Sequence, residues 1–139
     1  MITIKHNKDG WEEIFLKRVC DALSEQDAKV GLNKLLSLAE NPNRLMLSSD
    51  ILRCLYIAIF NICIVLNDPE KALNYLLRAK SECDHVTIRL ALSMIYLHIH
   101  KPLLAQKELE IAEELAMSLT DKDLINGLKD ELRKMLNNL

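Results

Sequence analysis

Glycine and proline are scarce, with three of each in 139 residues. Small sheet-rich domains need more turn residues than that, whereas helical hairpins need few. Aromatic residues make up only 4% of the chain, too few for the stacked rings on which single-stranded nucleic acids are held. Neither charge sign dominates: the formal net charge is −2, so there is no basic surplus to neutralise phosphates, and nucleic acid is not an implied partner. Nor is there an apolar run of the ~20 residues that a membrane-spanning helix needs. The most apolar stretch, 51–66, is interrupted by Arg53 and Asn61 and reads as a buried core helix. Peripheral membrane association is not indicated either. The four cysteines, Cys20, Cys54, Cys63 and Cys83, form no C-x-x-C pair, and Met1-Ile2-Thr3-Ile4-Lys5-His6 has no apolar leader core. Both features predict a soluble cytoplasmic protein with reduced thiols.

The chain lacks G-x-x-x-x-G-K-[ST], G-x-G-x-x-G and G-x-S-x-G, the short motifs that place phosphates or a nucleophile. No catalytic residue, cofactor or metal is implied, and the sequence reads as that of a non-enzyme. His98 and His100, two apart at a helix end, diverge by roughly 200° and do not share a metal. Cys20, Cys54 and Cys63 sit in apolar stretches and read as small core residues. The acidic run Glu108, Glu110, Glu113 and Glu114 reads as the solvated face of a helix.

What remains is an ordinary globular composition, half hydrophobic and 27% charged, in a length that suits one domain. Residues 1–9 are polar and mixed and read as an N-terminal arm. From residue 10 to 139 the apolar spacing is helical throughout, and no stretch alternates like a half-buried strand. Trp11, Ile14, Phe15, Val19, Ala22 and Leu23 mark a first helix. Ser24 or Asp27 caps a second, which Asn41-Pro42 stops. Residues 41–49 connect to a third helix, 51–66, apolar nearly all round and therefore expected to be covered on both sides. Pro69 opens a fourth. Asp84 or Thr87 caps a fifth, Pro102 follows the turn into a sixth, and Thr120 with Asp123 forms a capping box for a last helix over 121–138. The prediction is an all-α protein of about seven helices in stacked antiparallel hairpins.

A recurrence runs through the second half. Asn67-Asp68-Pro69-Glu70-Lys71-Ala72 aligns with His100-Lys101-Pro102-Leu103-Leu104-Ala105, with prolines and alanines each 33 residues apart. The register continues through Leu76 and Leu109, Ala79 and Ala112, and upstream through Ile59 and Leu92, Cys63 and Tyr96. A fixed period near 34 in helix–turn–helix units resembles the tetratricopeptide repeat. The units span 53–85 and 86–118, with a degenerate unit over 11–40 and a capping helix over 121–138. Departures from the family pattern are Phe60 in place of a small residue, and Asn67 and His100 in place of the turn glycine.

In tetratricopeptide arrays the first helices of successive pairs line a ligand groove. The resemblance therefore implies a partner-binding groove of Ile57, Asn61, Ile64 and Val65 from the third helix and Leu90, Met94, Leu97 and His98 from the fifth. The basic residues that carboxylate-clamp members use to hold chaperone tails are missing. An apolar lining of this kind implies a protein partner presenting a helix or extended apolar segment, a homodimer mate, or both. The function implied is that of a small cytoplasmic chaperone or adaptor. By architecture and size the chain resembles the chaperones of type III secretion, which hold translocator or needle subunits. The alternative is a regulatory or scaffold protein whose groove is filled by its own helices or by homodimerisation.

Overall fold

The computed structural model describes residues 2–138, with side chains from Gly10 onward. Among these residues the protein is all-α: α1 (Ile2–Leu23), α2 (Ala28–Ala39), α3 (Ser49–Val65), α4 (Pro69–Cys83), α5 (Val86–His98), α6 (Pro102–Leu115) and α7 (Leu119–Asn137), plus a 3-10 turn over Pro42–Met46. The contacts divide the chain into two units, Met1–Asp68 and Pro69–Leu139, where the sequence reads as one domain from residue 10. The boundary falls inside the predicted repeat 53–85, so α3 and α4 belong to different units. Helix α1 starts at Ile2, so the segment read as an arm is helical in its backbone. Gly10 alone does not stop a helix, and no proline precedes it. The side chains of 2–9 lie outside the described residues.

In the first unit α1, α2 and α3 each touch the other two. Phe15, Val19 and Ala22 of α1 are buried, and Leu32, Leu35, Leu38 and Ala39 of α2 meet the same interior. Asp27 caps α2, its carboxylate accepting the Lys29 N–H at 2.9 Å, and Ser48 caps α3 through the Ile51 N–H at 3.4 Å. In the connection between α2 and α3 only Leu47 goes inside, whereas Leu45 and Met46 stay exposed.

In the second unit α5 touches all three of the other helices, and α6 also packs on α7. Ten of the thirteen residues of α5 are buried, which explains a helix apolar on almost every side. The connections 84–85, 99–101 and 116–118 are short, so neighbouring helices run antiparallel. Two caps differ from the sequence reading. His85, not Asp84 or Thr87, caps α5, its Nδ1 accepting the Thr87 N–H at 3.1 Å. Asp84 is not available because its carboxylate is engaged by Arg89. Ser118, not Thr120, caps α7, taking the Asp121 N–H at 3.1 Å, because the helix starts two residues earlier than the spacing predicted.

The 33-residue recurrence reappears in backbone geometry. Among the described residues, Asn67 and His100 are the two non-glycine residues with positive φ, at 55° and 61°. At the first, the Asp68 N–H donates to the Cys63 carbonyl (2.9 Å) and the Asn67 N–H to that of Ile64 (3.1 Å). At the second, Lys101 donates to Tyr96 (2.8 Å) and His100 to Leu97 (3.1 Å). Each is a Schellman stop followed by proline. The paired positions Ala72 and Ala105, Leu76 and Leu109, and Ala79 and Ala112 are all buried to 1% exposure or less. A left-handed residue other than glycine or asparagine is strained by roughly 1–2 kcal/mol. His100→Gly is therefore expected to raise stability by about 0.5–1 kcal/mol. Asn67→Gly should gain less, since asparagine tolerates this conformation. Urea midpoints of the two variants check the order; a destabilised His100→Gly contradicts it.

Candidate partner-binding surfaces

The predicted groove residues fall on both units, and each set is placed on its own helix. On α3, Cys54, Asn61, Ile64 and Val65 are exposed and Ile57 is half-buried. At steps of three and four they form one strip of the helix. Val65 is 75% exposed, and no charged residue occurs between Cys54 and Leu66. The expectation that α3 is covered on both of its sides is thus corrected: one stripe stays open because α1 and α2 cover only the faces turned to them. Asn61 is the one amide on the strip, able to donate and to accept.

On α5 the four residues separate. Leu90 and Leu97 are buried, at 6% and 8% exposure, while Met94 and His98 are exposed. The first two belong to the interior of the 69–139 unit rather than to a ligand surface, because α4, α6 and α7 take up three sides of this helix. Met94 and His98, one turn apart, are what α5 shows outside.

The polar site that the sequence reading missed lies inside the second unit. Arg89 is buried on α5 and grips Asp84 with two bonds, Nε to Oδ1 and Nη2 to Oδ2, both 2.8 Å. Its Nη1 donates to Glu108 Oε2 of α6 at 2.9 Å, and Glu108 Oε1 accepts from Lys80 Nζ of α4 at 3.2 Å. Two cations and two carboxylates thus close a neutral network that joins α4, α5 and α6. The hydrogen bond with Arg89 holds the Asp84 carboxyl below the usual range, against the opposing effect of burial, and Arg89 is held more firmly charged, chiefly by Asp84. Burial, with a smaller contribution from Glu108, pushes the Tyr96 phenol up. Glu108 is therefore not part of a solvated acidic face; Glu110, Glu113 and Glu114 are. The signal was present in the spacing: Glu108 sits within the stripe Ala105, Leu109, Ala112, and Arg89 interrupts an apolar helix. Ser93 is buried beside it, its Oγ donating to the Arg89 and Leu90 carbonyls at 3.1 and 3.2 Å. Every polar head in this network is satisfied by another residue of the same unit, so the cluster fastens helices and offers no reactive group.

Among the described residues no group of three His, Cys, Asp or Glu side chains is placed to hold a metal ion, and no helix is long and apolar enough to cross a membrane. Cys63 is buried as expected, and so is Cys83, but the core reading of Cys20 and Cys54 is corrected: both are exposed, because apolar neighbours in sequence do not fix which side of a helix faces the core. No protein-family model, no curated protein and no solved structure matches this chain.

Proposed function

We propose that this protein is an interaction module that holds an apolar or amphipathic segment of another protein against the outer strip of α3. The observation that carries the reading is the uncharged strip Ile57–Asn61–Ile64–Val65, with Val65 three-quarters exposed. An exposed row of β-branched side chains on a helix gains nothing from water and stabilises a complex when covered. The spacing suits a partner helix laid along it. Support for tetratricopeptide-type hairpins comes from the recurrence of helix stop, proline and buried alanines at 33 residues. On that reading the chain acts as a small cytoplasmic chaperone or adaptor, in the manner of those that hold type III secretion subunits before export.

The test is Ile64→Glu with Val65→Glu. Val65 is three-quarters exposed and Ile64 a little under half, so the double substitution should cost no more than about 1 kcal/mol of stability. A partner captured by the wild type and quantified by mass spectrometry should be lost by at least tenfold. Cys54 supplies an independent probe: its alkylation should slow when that partner is bound, while alkylation of Cys20 stays unchanged. Capture that survives the double substitution refutes the reading.

A further inference from the structure

The outer face of α7 carries a second surface, wholly within the 69–139 unit. Thr120, Asp123, Leu124, Gly127, Leu128 and Glu131 line a wide-open, shallow depression along this one helix. These are positions i, i+3, i+4, i+7, i+8 and i+11, one face of a single helix. The turn before it extends the apolar character: Met117 is 93% exposed, and Leu119 nearly as open.

Two features say what fits there. The first is Gly127. A Cβ built on it meets nothing within 4 Å, and its φ is not positive. The fold therefore supplies no reason for a glycine in mid-helix, where it is worse than alanine. What the missing side chain leaves is a notch into which another backbone can come close. The second is charge. The two ionisable residues of the lining are both carboxylates. Asp123 has no ion-pair partner among the described residues, and Glu131 has only Lys134 of its own helix, at 4.0 Å and exposed. Asp123 and Glu131 are eight residues apart, about 12 Å along the axis.

We propose that this face docks a cationic amphipathic helix of another protein. Its apolar side lies on Leu124 and Leu128 and crosses closely over Gly127; its Lys or Arg residues reach Asp123 and Glu131. The carboxylates disfavour an anionic membrane surface. A symmetric second copy would bring the same carboxylates together.

The experiment titrates the full chain with a 14-residue helical peptide of Leu and Lys, and with its Glu-for-Lys counterpart, by calorimetry. The Lys peptide should bind with an affinity that falls as salt rises, and the Glu peptide should not bind. Asp123→Lys with Glu131→Lys should weaken binding by at least tenfold, and so should Gly127→Leu, which fills the notch. Gly127→Ala should have a smaller effect. All these positions face solvent, and circular dichroism checks that each variant is folded. Ile64→Glu on α3 should leave peptide binding unchanged, which separates this surface from the one proposed above. Binding that ignores the charge reversal or the filled notch, or that is lost with Ile64→Glu, overturns the proposal. So does binding to phosphatidylserine vesicles in place of the peptide, or a dimer that Leu124→Glu dissociates.

Discussion

Arg89→Met is expected to destabilise the 69–139 unit by about 3–5 kcal/mol, the largest single-residue effect predicted for this protein. Losing one partner of a buried pair leaves the other charge uncompensated, which costs more than the pair contributes. Glu108, buried on α6, would keep only Lys80, at 3.2 Å and from a side chain partly in solvent. Adding Glu108→Leu to Arg89→Met should recover much of the loss, because apolar side chains of similar volume often replace a buried ion pair at little cost. The wild type, Arg89→Met and the double variant are compared by urea unfolding; a double variant no better than the single one rejects the account.

The same set has a signature in pH. The Asp84 carboxyl is held low by Arg89, so its contribution is present above the unfolded carboxylate value and is lost as pH falls through the lowered value. Arg89→Met removes the cause of that shift. The stability gap between wild type and variant should therefore narrow toward acid, below the ordinary carboxylate range. Asp84 is substantially exposed at its side chain, so the narrowing accounts for only part of the gap.

Gly31→Ala is the second large effect, with an expected net loss of about 1–3 kcal/mol. A Cβ at Gly31 of α2 would stand 2.5 Å from the carbonyl oxygen of Ala22 on α1, with Glu25 Cβ at 3.5 Å. Backbone cannot swing away as a side chain does, so the α1–α2 contact must open. The gain in helix propensity, up to about 1 kcal/mol, works in the opposite direction. Gly127→Ala has only that gain and should stabilise by about 0.5–1 kcal/mol. Thermal melts of the two variants should therefore move in opposite directions. A rise in melting temperature for Gly31→Ala would show that the two helices do not approach this closely. Neither glycine has positive φ, so steric contact, not backbone freedom, decides both signs.

Gly31 also shows where sequence reading stops. Its neighbours Val30 and Leu32 carry the helical pattern, and nothing in their spacing marks the residue between them as the point of closest approach. Helix existence was legible because it depends on neighbours three and four residues away: the stripe Trp11, Phe15, Val19, Ala22 and the proline at the head of α4 are local facts. The recurrence of Asn67-Asp68-Pro69 and His100-Lys101-Pro102 was legible for the same reason, since a helix stop is made by the last turn and the two residues beyond it. Caps were less secure. Asp84 is a good cap by type, but its carboxylate is claimed by Arg89, five residues on, and His85 takes its place.

The exposed face of an apolar helix was decided only by tertiary structure. Helices α3 and α5 both present apolar faces in matching register, yet Ile64 and Val65 are exposed while Leu90 and Leu97 are core. Amino-acid type sets how strongly a side chain seeks cover; the number and direction of packed neighbours set whether it finds any. Helix α5 has three neighbours within its unit, and α3 has two, which leave its strip open. Glu108 follows the same logic from the polar side. Its charge suggested solvent, but its place between Ala105 and Leu109 put it inside, where Arg89 and Lys80, far from it in the chain, make burial tolerable.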